Sequence, residues 1–510
     1  MAVFDVVAYG ADPTGRSDSA AAFAAAFRAA SAHPQPSEVR IPPGDYTLYP
    51  EHAERRDLFV SNTVGADPRY RTKTIAMLVE HANGLVVNGT GAKLTLHGFQ
   101  TAFAVIDSHD VRWHGFAVDY HAPSLVEATV VAAGPTWRQL AVPADVTARV
   151  DGTHINWEGE RSYWSGRDGL DYAQVYDPRT GTVRRCDNPL FVNVTAISDD
   201  LRIEYGGPID DDTGLVYQMR PTVRDHPGVF VWESERVTLD NLDLHYLHGF
   251  GILGQLSRDL VLRDIRFQAD PERGRKTASY ADFVNLSNVG GQVTIERCLF
   301  DGAHDDAINV HGTYLVVKER PDERTVVLEY RHPETAGFPA FHAGDEIEFI
   351  ERATLSSDTA IQARVVAVTD PTPEHPFTTT VTLDRPVHLE NERWAAENIS
   401  YSPDVTVTGN VFTGIPTRGV LLTARGHCVI EGNVFDEMGM AGIFVSGDAN
   451  EWFESGPVKD LTIRANEFRR LTAPAILVEP TIAGGKVHSG IDIEHNRFVD
   501  CTEPHVVIKE

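Results

Sequence analysis

"VTVTGNVFTGIPTRGVL" (405–421) and "CVIEGNVFDEMGMAGIF" (428–444) superimpose position for position. Each opens on alternating apolar residues, turns at Gly-Asn, places Phe two residues after the Asn, and reaches a second short apolar run six residues later. The spacing, 405 to 428 and 418 to 441, is a step of 23 residues. A unit this short cannot bury its apolar face alone and must stack on copies of itself.

The first part of the unit recurs as "VTLDNLDL" (237–244), "DLVLRDIRF" (259–267), "QVTIERCLF" (292–300), "DLTIRANEF" (460–468) and "IDIEHNRF" (491–498), with Asn or an apolar residue at the corner. The second part stacks as Phe250-Gly-Ile-Leu, Asp282-Phe-Val-Asn, Asp306-Ala-Ile-Asn, Arg418-Gly-Val-Leu, Ala441-Gly-Ile-Phe, Pro474-Ala-Ile-Leu and Pro504-His-Val-Val, with Pro227-Gly-Val-Phe as an earlier rung. The Asp282 rung fits once nine extra residues before it are allowed to leave the coil. Short strands in a fixed register predict an all-β fold, a right-handed parallel β-helix. A sandwich or a string of small β domains would also give short strands, but not this register. Residues in one column then lie one inter-strand spacing apart, ~4.8 Å, whatever their separation in sequence.

An open coil exposes strand edges and needs a cover. "SDSAAAFAAAFRAA" (17–30) reads as a capping helix, with Ser17 or Asp18 as N-cap and Phe23 and Phe27 on one face. The preceding "FDVVAYGADPTG" resembles the opening of pectate-lyase-like β-helix proteins. Two long stretches break the register and alternate in the manner of antiparallel strands, so each is expected to be a small inserted β-barrel or sandwich. The expected division is 1–118 (cap and first coils), 119–222 (first insert), 223–312 (central coils), 313–400 (second insert) and 401–510 (last coils). Smaller excursions fall at 268–281 and 446–459.

With 73 acidic against 45 basic residues, a formal charge of −28, the chain is not built to bind nucleic acid or an anionic membrane surface. Cys186, Cys298, Cys428 and Cys501 are widely spaced, without a CxxC pair, and read as ordinary core residues rather than zinc ligands or a disulfide framework. "MAVFDVVAYGAD" lacks a basic region followed by an apolar one, and no run approaches membrane-spanning length. A soluble protein is expected, secreted if a signal peptide has been removed and otherwise cytoplasmic. The oligomeric state stays open, a homo-oligomer included.

Charge interrupts the stacked column at three consecutive rungs, Asp282, Asp306 and Arg418, and Asp305 directly precedes Asp306. An isolated Asp-Asp pair is usually a solvated turn; stacking with Asp282 changes that. Carboxylates this close raise at least one pKa, leaving one group protonated while another is ionised, the division that glycoside hydrolysis requires. Asn285 and Asn309, three residues on, read either as an asparagine ladder along the solenoid or as ligand contacts. Arg418 either neutralises Asp306 or binds substrate. His311 would orient a carboxylate or touch substrate, although a lone His is more often structural, and "NEWFESGP" offers Trp452 to stack on a sugar face and Glu454 to grip hydroxyls.

"DFVN" 24 residues ahead of "DDAINVHGTYL", with "NEWFESGP" downstream, resembles glycoside hydrolase family 110, the exo-acting α-1,3-galactosidases, over nearly the whole chain. The resemblance implies an inverting hydrolase that removes terminal α-1,3-linked galactose, the blood-group-B linkage, without metal or organic cofactor. It makes Asp305 the general acid and Asp282 and Asp306 the pair that positions water, with roughly 6.5–9.5 Å between acid and base. It leaves open whether branched, fucosylated or linear glycans are preferred, and members are often secreted. Two other readings keep the fold: a pectate-lyase-like or polygalacturonase-like enzyme acting on uronic-acid polysaccharide, with the aspartates as a calcium site or Arg418 gripping a uronate, and a non-catalytic carbohydrate-binding β-helix.

Overall fold

The computed structural model describes residues 1–509, leaving out 35, 64–66, 153, 169, 191–192 and 198–199. Phe191 and Val192, in the stretch expected to form the first insert, therefore lie outside the described residues. Two sheets of eleven strands and one of twelve run side by side through the chain and form the three faces of a solenoid. Their inward Val, Leu, Ile and Phe side chains make one continuous core from Val6 to Val478. Full burial of each such side chain is worth roughly 1.5–3 kcal/mol, so the coils are held mainly by their neighbours.

The register expected of the second strand is the register observed. Ile252, Val284, Ile308, Val420, Ile443, Ile476 and Val506 pair in succession, and Pro227 pairs with Phe250. Two residues earlier the main chain continues the column: Phe283 N–H donates to the Asp306 carbonyl (3.1 Å) and Ala307 N–H to that of Arg418 (3.0 Å).

Each corner turns on one left-handed residue, glycine at Gly409 and Gly432 but Asp264, Arg297, Ala465 and His495 elsewhere. The next residue points inward. Where it is Asn a ladder forms: the Asn410 amide donates to Asn433 Oδ1, Asn433 to Asn466 Oδ1 and Asn466 to Asn496 Oδ1, at 3.0–3.1 Å. Two residues on, Phe300, Phe412, Phe435 and Phe468 stack face to face with centroids 4.6–4.9 Å apart.

The capping helix is Ala20–Ser31 and begins later than expected. Ser17 and Asp18 end the strand Thr14–Asp18, and Ser19 is the N-cap without a side-chain hydrogen bond. Asp18 still accepts from the first helical N–H, that of Ala20 (2.9 Å). Phe23 and Phe27 face the first coils, where Phe27 stacks on Trp113.

The first insert leaves after the solenoid strand Ala117–Tyr120 and returns before Pro227–Trp232. Among the described residues it is not a closed barrel: a seven-stranded antiparallel sheet lies with a three-stranded one, Thr147–Asp151, His154–Glu158 and Ser165–Arg167. Its core, which includes Trp157, Trp164, Leu140 and Met219, lies to one side of the sheet, so closure is not needed to bury it. The second insert is a closed six-stranded barrel, from Leu315–Glu319 to Trp394–Asn398. Arg425 of the solenoid joins it by reaching Glu348 (2.6 Å) and Glu397, both buried. The four cysteines are free; Cys298 and Cys428 are buried and Cys186 and Cys501 half-buried. No described helix is long and apolar enough to cross a membrane.

Candidate functional site

A cavity of about 270 Å³ opens over the charged part of the column. Asp282, Asp305, Asp306, Asn285, Asn309, Arg418, Trp452 and Glu454, all singled out in the sequence, line it. So do Asn62, Phe250, Arg224, Glu334 and Asp448.

Asp282 is 3% exposed and Asp306 1%. Arg418 grips Asp306 with both arms of its guanidinium (Nε to Oδ1 2.9 Å, Nη2 to Oδ2 2.7 Å), and its main-chain N–H adds a third bond at 3.1 Å. Among the described residues Asp282 has no such counter-ion, and its carboxyl accepts from Asn285 Nδ2 (2.9 Å). Burial first, and then the charges of Asp305 and Asp306, hold its carboxyl well above the usual carboxylate range, which favours its acid form. The rung below requires a glycine here: a Cβ on Gly251 would lie 2.2 Å from the Phe283 carbonyl oxygen and 2.7 Å from that of Asp282.

Asp305 turns away from the solenoid and meets the first insert. Arg185 Nη2 donates to its Oδ1 at 2.9 Å, while Arg185 Nε donates to the Tyr172 hydroxyl at 3.2 Å. That hydroxyl donates to the His304 carbonyl at 2.5 Å, and Gln174 Nε2 donates to the Ala303 carbonyl at 3.3 Å. The backbone entering the Asp pair is thus clamped by the insert. Burial, with Arg220 and Arg185 nearby, holds His304 far below its usual pKa and therefore neutral.

Asn285 and Asn309 pair in register but do not bond to each other. Asn285 donates to Asp282 and Asn309 to Glu454 Oε1 (3.0 Å), and the amide oxygen of each is buried without a partner. Of the two readings of these residues, the ladder is not formed. Its place in the fold is the corner column from Asn410 to Asn496. Two unpartnered acceptors at a cavity wall await a donor, as a sugar hydroxyl would be.

The excursion 446–459 closes the cavity. Its strand Glu454–Ser455 pairs antiparallel with the end of Ile308–Thr313, which brings Glu454 to Asn309. Asp448 caps the turn by accepting from the main chain of Asn450 and Glu451. Trp452 stands 46% exposed at the mouth, with its ring 4.4 Å from that of His332.

His311 does not line the cavity, contrary to its reading as a substrate contact. It points behind the wall, 3% exposed, with Nδ1 donating to the Gly312 carbonyl (2.7 Å) and Nε2 accepting from Asn62 Nδ2 (3.0 Å). It lies 3.9 Å from Glu454 and so holds two groups that do reach the cavity. Arg224 and Arg185 had no visible signal, since both lie where the 23-residue register is lost. Arg224 bonds Glu334 of the second insert (2.8 Å) and lies against the Phe250 ring.

Arg418 on Asp306 and Arg185 on Asp305 occupy the carboxylates that a calcium ion would need, which disfavours the calcium reading. Asp225, His226 and His248 also bring possible metal-ligand atoms within 4.8 Å of one another. They are satisfied by His248 Nε2 donating to Asp225 (2.7 Å) and Thr74 N–H donating to His226 Nε2 (3.2 Å). The buried Lys73 ammonium, bonded to the Asp225 carbonyl, repels a cation there.

Residues 325–387, within the second insert, match the family described as GLAA-B beta-barrel domain II. The chain is 49% identical over 97% of its length, and 83% of the relative's, to Alpha-1,3-galactosidase A of Streptomyces avermitilis. It is 43% identical over 97% of its length, and 73% of the relative's, to Alpha-1,3-galactosidase A of Peterkaempfera griseoplana. Among solved structures, a Family 28 exopolygalacturonase of Yersinia enterocolitica overlays with a TM-score of 0.43 at 13% identity, covering all of this chain and 68% of that one.

Proposed function

This chain belongs to the alpha-1,3-galactosidase family, and from that premise we propose that it is an exo-acting glycoside hydrolase of the family 110 type that releases terminal α-1,3-linked galactose from glycans with inversion at the anomeric carbon. The observation that carries the reading is the convergence of Asp282, Asp305 and Asp306 on one cavity closed by Trp452 and Glu454. At about 270 Å³ the cavity lies near the lower end of small-molecule sites, the scale of a single sugar ring, which suits removal of a terminal residue.

Asp305 protonates the leaving oxygen, and Asp282 and Asp306 position the water that attacks the opposite face of the ring, with Asp306 taking its proton. Trp452 covers the apolar face of the galactose. Glu454 accepts from hydroxyls, and the free amide oxygens of Asn285 and Asn309 take others. Arg418 keeps the buried Asp306 charge compensated.

A second assignment, favoured by the burial that raises the Asp282 carboxyl, makes Asp282 the acid. The two assignments predict different variants. With Asp305 as acid, Asp305→Asn loses roughly 10²–10⁴-fold on an α-1,3-galactosyl disaccharide but much less on an aryl α-galactoside with a good leaving group. Asp282→Asn and Asp306→Asn then lose comparably on both. The reverse pattern gives the acid to Asp282. Normal hydrolysis by Asp305→Asn and Asp282→Asn alike, or ¹H NMR detection of α-galactose as the first product, would overturn the proposal.

A further inference from the structure

The three carboxylates are held by different parts of the molecule. Asp282 is bonded to Asn285 three residues on, and Asp306 to Arg418 on the next rung. Only Asp305 is bonded to an insert. Its side chain is 19% exposed against 2% for Asp306, and Arg185 above it is 41% exposed, so the site opens toward the first insert. Trp452, Glu454 and Asn62, from other segments, also line the cavity.

The group that protonates a glycosidic oxygen sits between the two sugars which that oxygen joins. If galactose occupies the cavity, the sugar being released extends past Asp305 onto whatever stands beyond it. What stands there is Arg185 in the strand Val183–Arg185, with Tyr172 beneath. The guanidinium lies 5.4 Å from the Tyr172 ring centroid and donates to its hydroxyl. Tyr172 is fixed in turn by the His304 carbonyl and by Arg220, whose guanidinium lies 4.1 Å from the ring centroid. A planar donor fork on an aromatic face, held rigid from below, suits the hydroxyls of a neutral sugar.

We infer that Arg185, with Tyr172 beneath it, forms the subsite for the sugar released from galactose, so that the first insert reads what the galactose is attached to. The inference rests on Asp305 lying on the leaving-group side, as in the proposed function. A neutral hexose or N-acetylhexosamine linked through its 3-hydroxyl places its neighbouring hydroxyls against the Arg185 fork. Arg185 already donates to Asp305, so its hold on that carboxylate and on the sugar are exercised together.

The test compares wild type with Arg185→Met and Arg185→Lys in the full chain, on two substrates. One is an α-1,3-galactosyl disaccharide; the other is α-galactosyl fluoride, which has no second sugar and needs little help in leaving. Loss of charge-assisted hydrogen bonds predicts that Arg185→Met lowers kcat/KM on the disaccharide roughly 10- to 100-fold. The loss on the fluoride should be at least tenfold smaller, with inhibition by free galactose unchanged and partial recovery in Arg185→Lys. Equal losses on both substrates, weaker inhibition by galactose, an unchanged disaccharide rate, or a disaccharide loss carried by kcat with KM unchanged, as a weakened Asp305 acid would give, would overturn the inference. Failure of the proposed function reads differently, as wild type leaving the disaccharide intact.

Discussion

The chain carries in-register asparagines in two places, and they behave oppositely. From Asn410 to Asn496 the amides bond to one another along the solenoid, and each repeats its neighbour's geometry. At Asn285 and Asn309 the same residue type, also one rung apart, turns its donors to carboxylates and leaves both acceptors buried and empty. The first set closes its hydrogen bonds inside the fold, and the second leaves them open at a cavity. Satisfied repetition marks structure, and unsatisfied repetition marks the place where a ligand completes the bonding.

The largest effect expected from pressing this contrast is at the charged rungs. Arg418→Ala strands Asp306 as a buried charge and should cost about 3–5 kcal/mol in urea denaturation. The double variant Arg418→Ala with Asp306→Asn should recover part of it. Next, Asn433→Ala cuts the ladder in the middle and should cost about 1–3 kcal/mol while leaving kcat/KM of the folded enzyme unchanged. Asn309→Ala should invert that pattern, with stability within about 1 kcal/mol of wild type and kcat/KM down roughly tenfold or more. If Asn309→Ala destabilised as much as Asn433→Ala at full activity, the distinction between the two columns would collapse.

Asp282 sharpens the contrast through pH. Its folded pKa lies above the unfolded value, so the stability tied to the acid form is full below about pH 3.8 and is lost as pH rises toward the folded pKa. Asp282→Asn removes that loss. It should melt at a higher temperature than wild type above about pH 4, by a margin that widens with pH, though hydrolysis is abolished. The smallest effect is at Trp452: Trp452→Ala should leave stability within about 0.5 kcal/mol and raise KM roughly 3- to 10-fold, the loss of one stacking contact.

The coils and the carboxylate column were legible in the sequence because a solenoid turns a linear period into spatial adjacency. Once Phe250, Asp282, Asp306 and Arg418 are aligned, their neighbourhood needs no further information. Arg185 and Arg224 were not legible, because each lies outside the period and reaches the site through the packing of an insert. The substrate-contact alternative for His311 fails for a related reason. Strand alternation fixes the side of the sheet a residue faces, but not whether Asn62, from a distant segment, stands between it and the cavity. The Asn285 and Asn309 readings were both reasonable; only the bonding geometry distinguishes a ladder from two parallel open acceptors.

The ion pairs of the site also set an order of events for the newborn chain. Arg185, itself in the first insert, and Asp305 are separated by 120 residues, and Arg418 and Asp306 by 112, with the whole second insert between the members of the latter pair. Most coils can dock as soon as the next few dozen residues emerge, but Asp306 meets its guanidinium only after the barrel has been made and the solenoid has resumed behind it. The coils on either side of an insert therefore wait longest for their final packing, Val111 for Val237 across the first and Ile308 for Val420 across the second. A chain halted anywhere between residues 313 and 417 would carry the Asp305-Asp306 pair with half of its compensation missing.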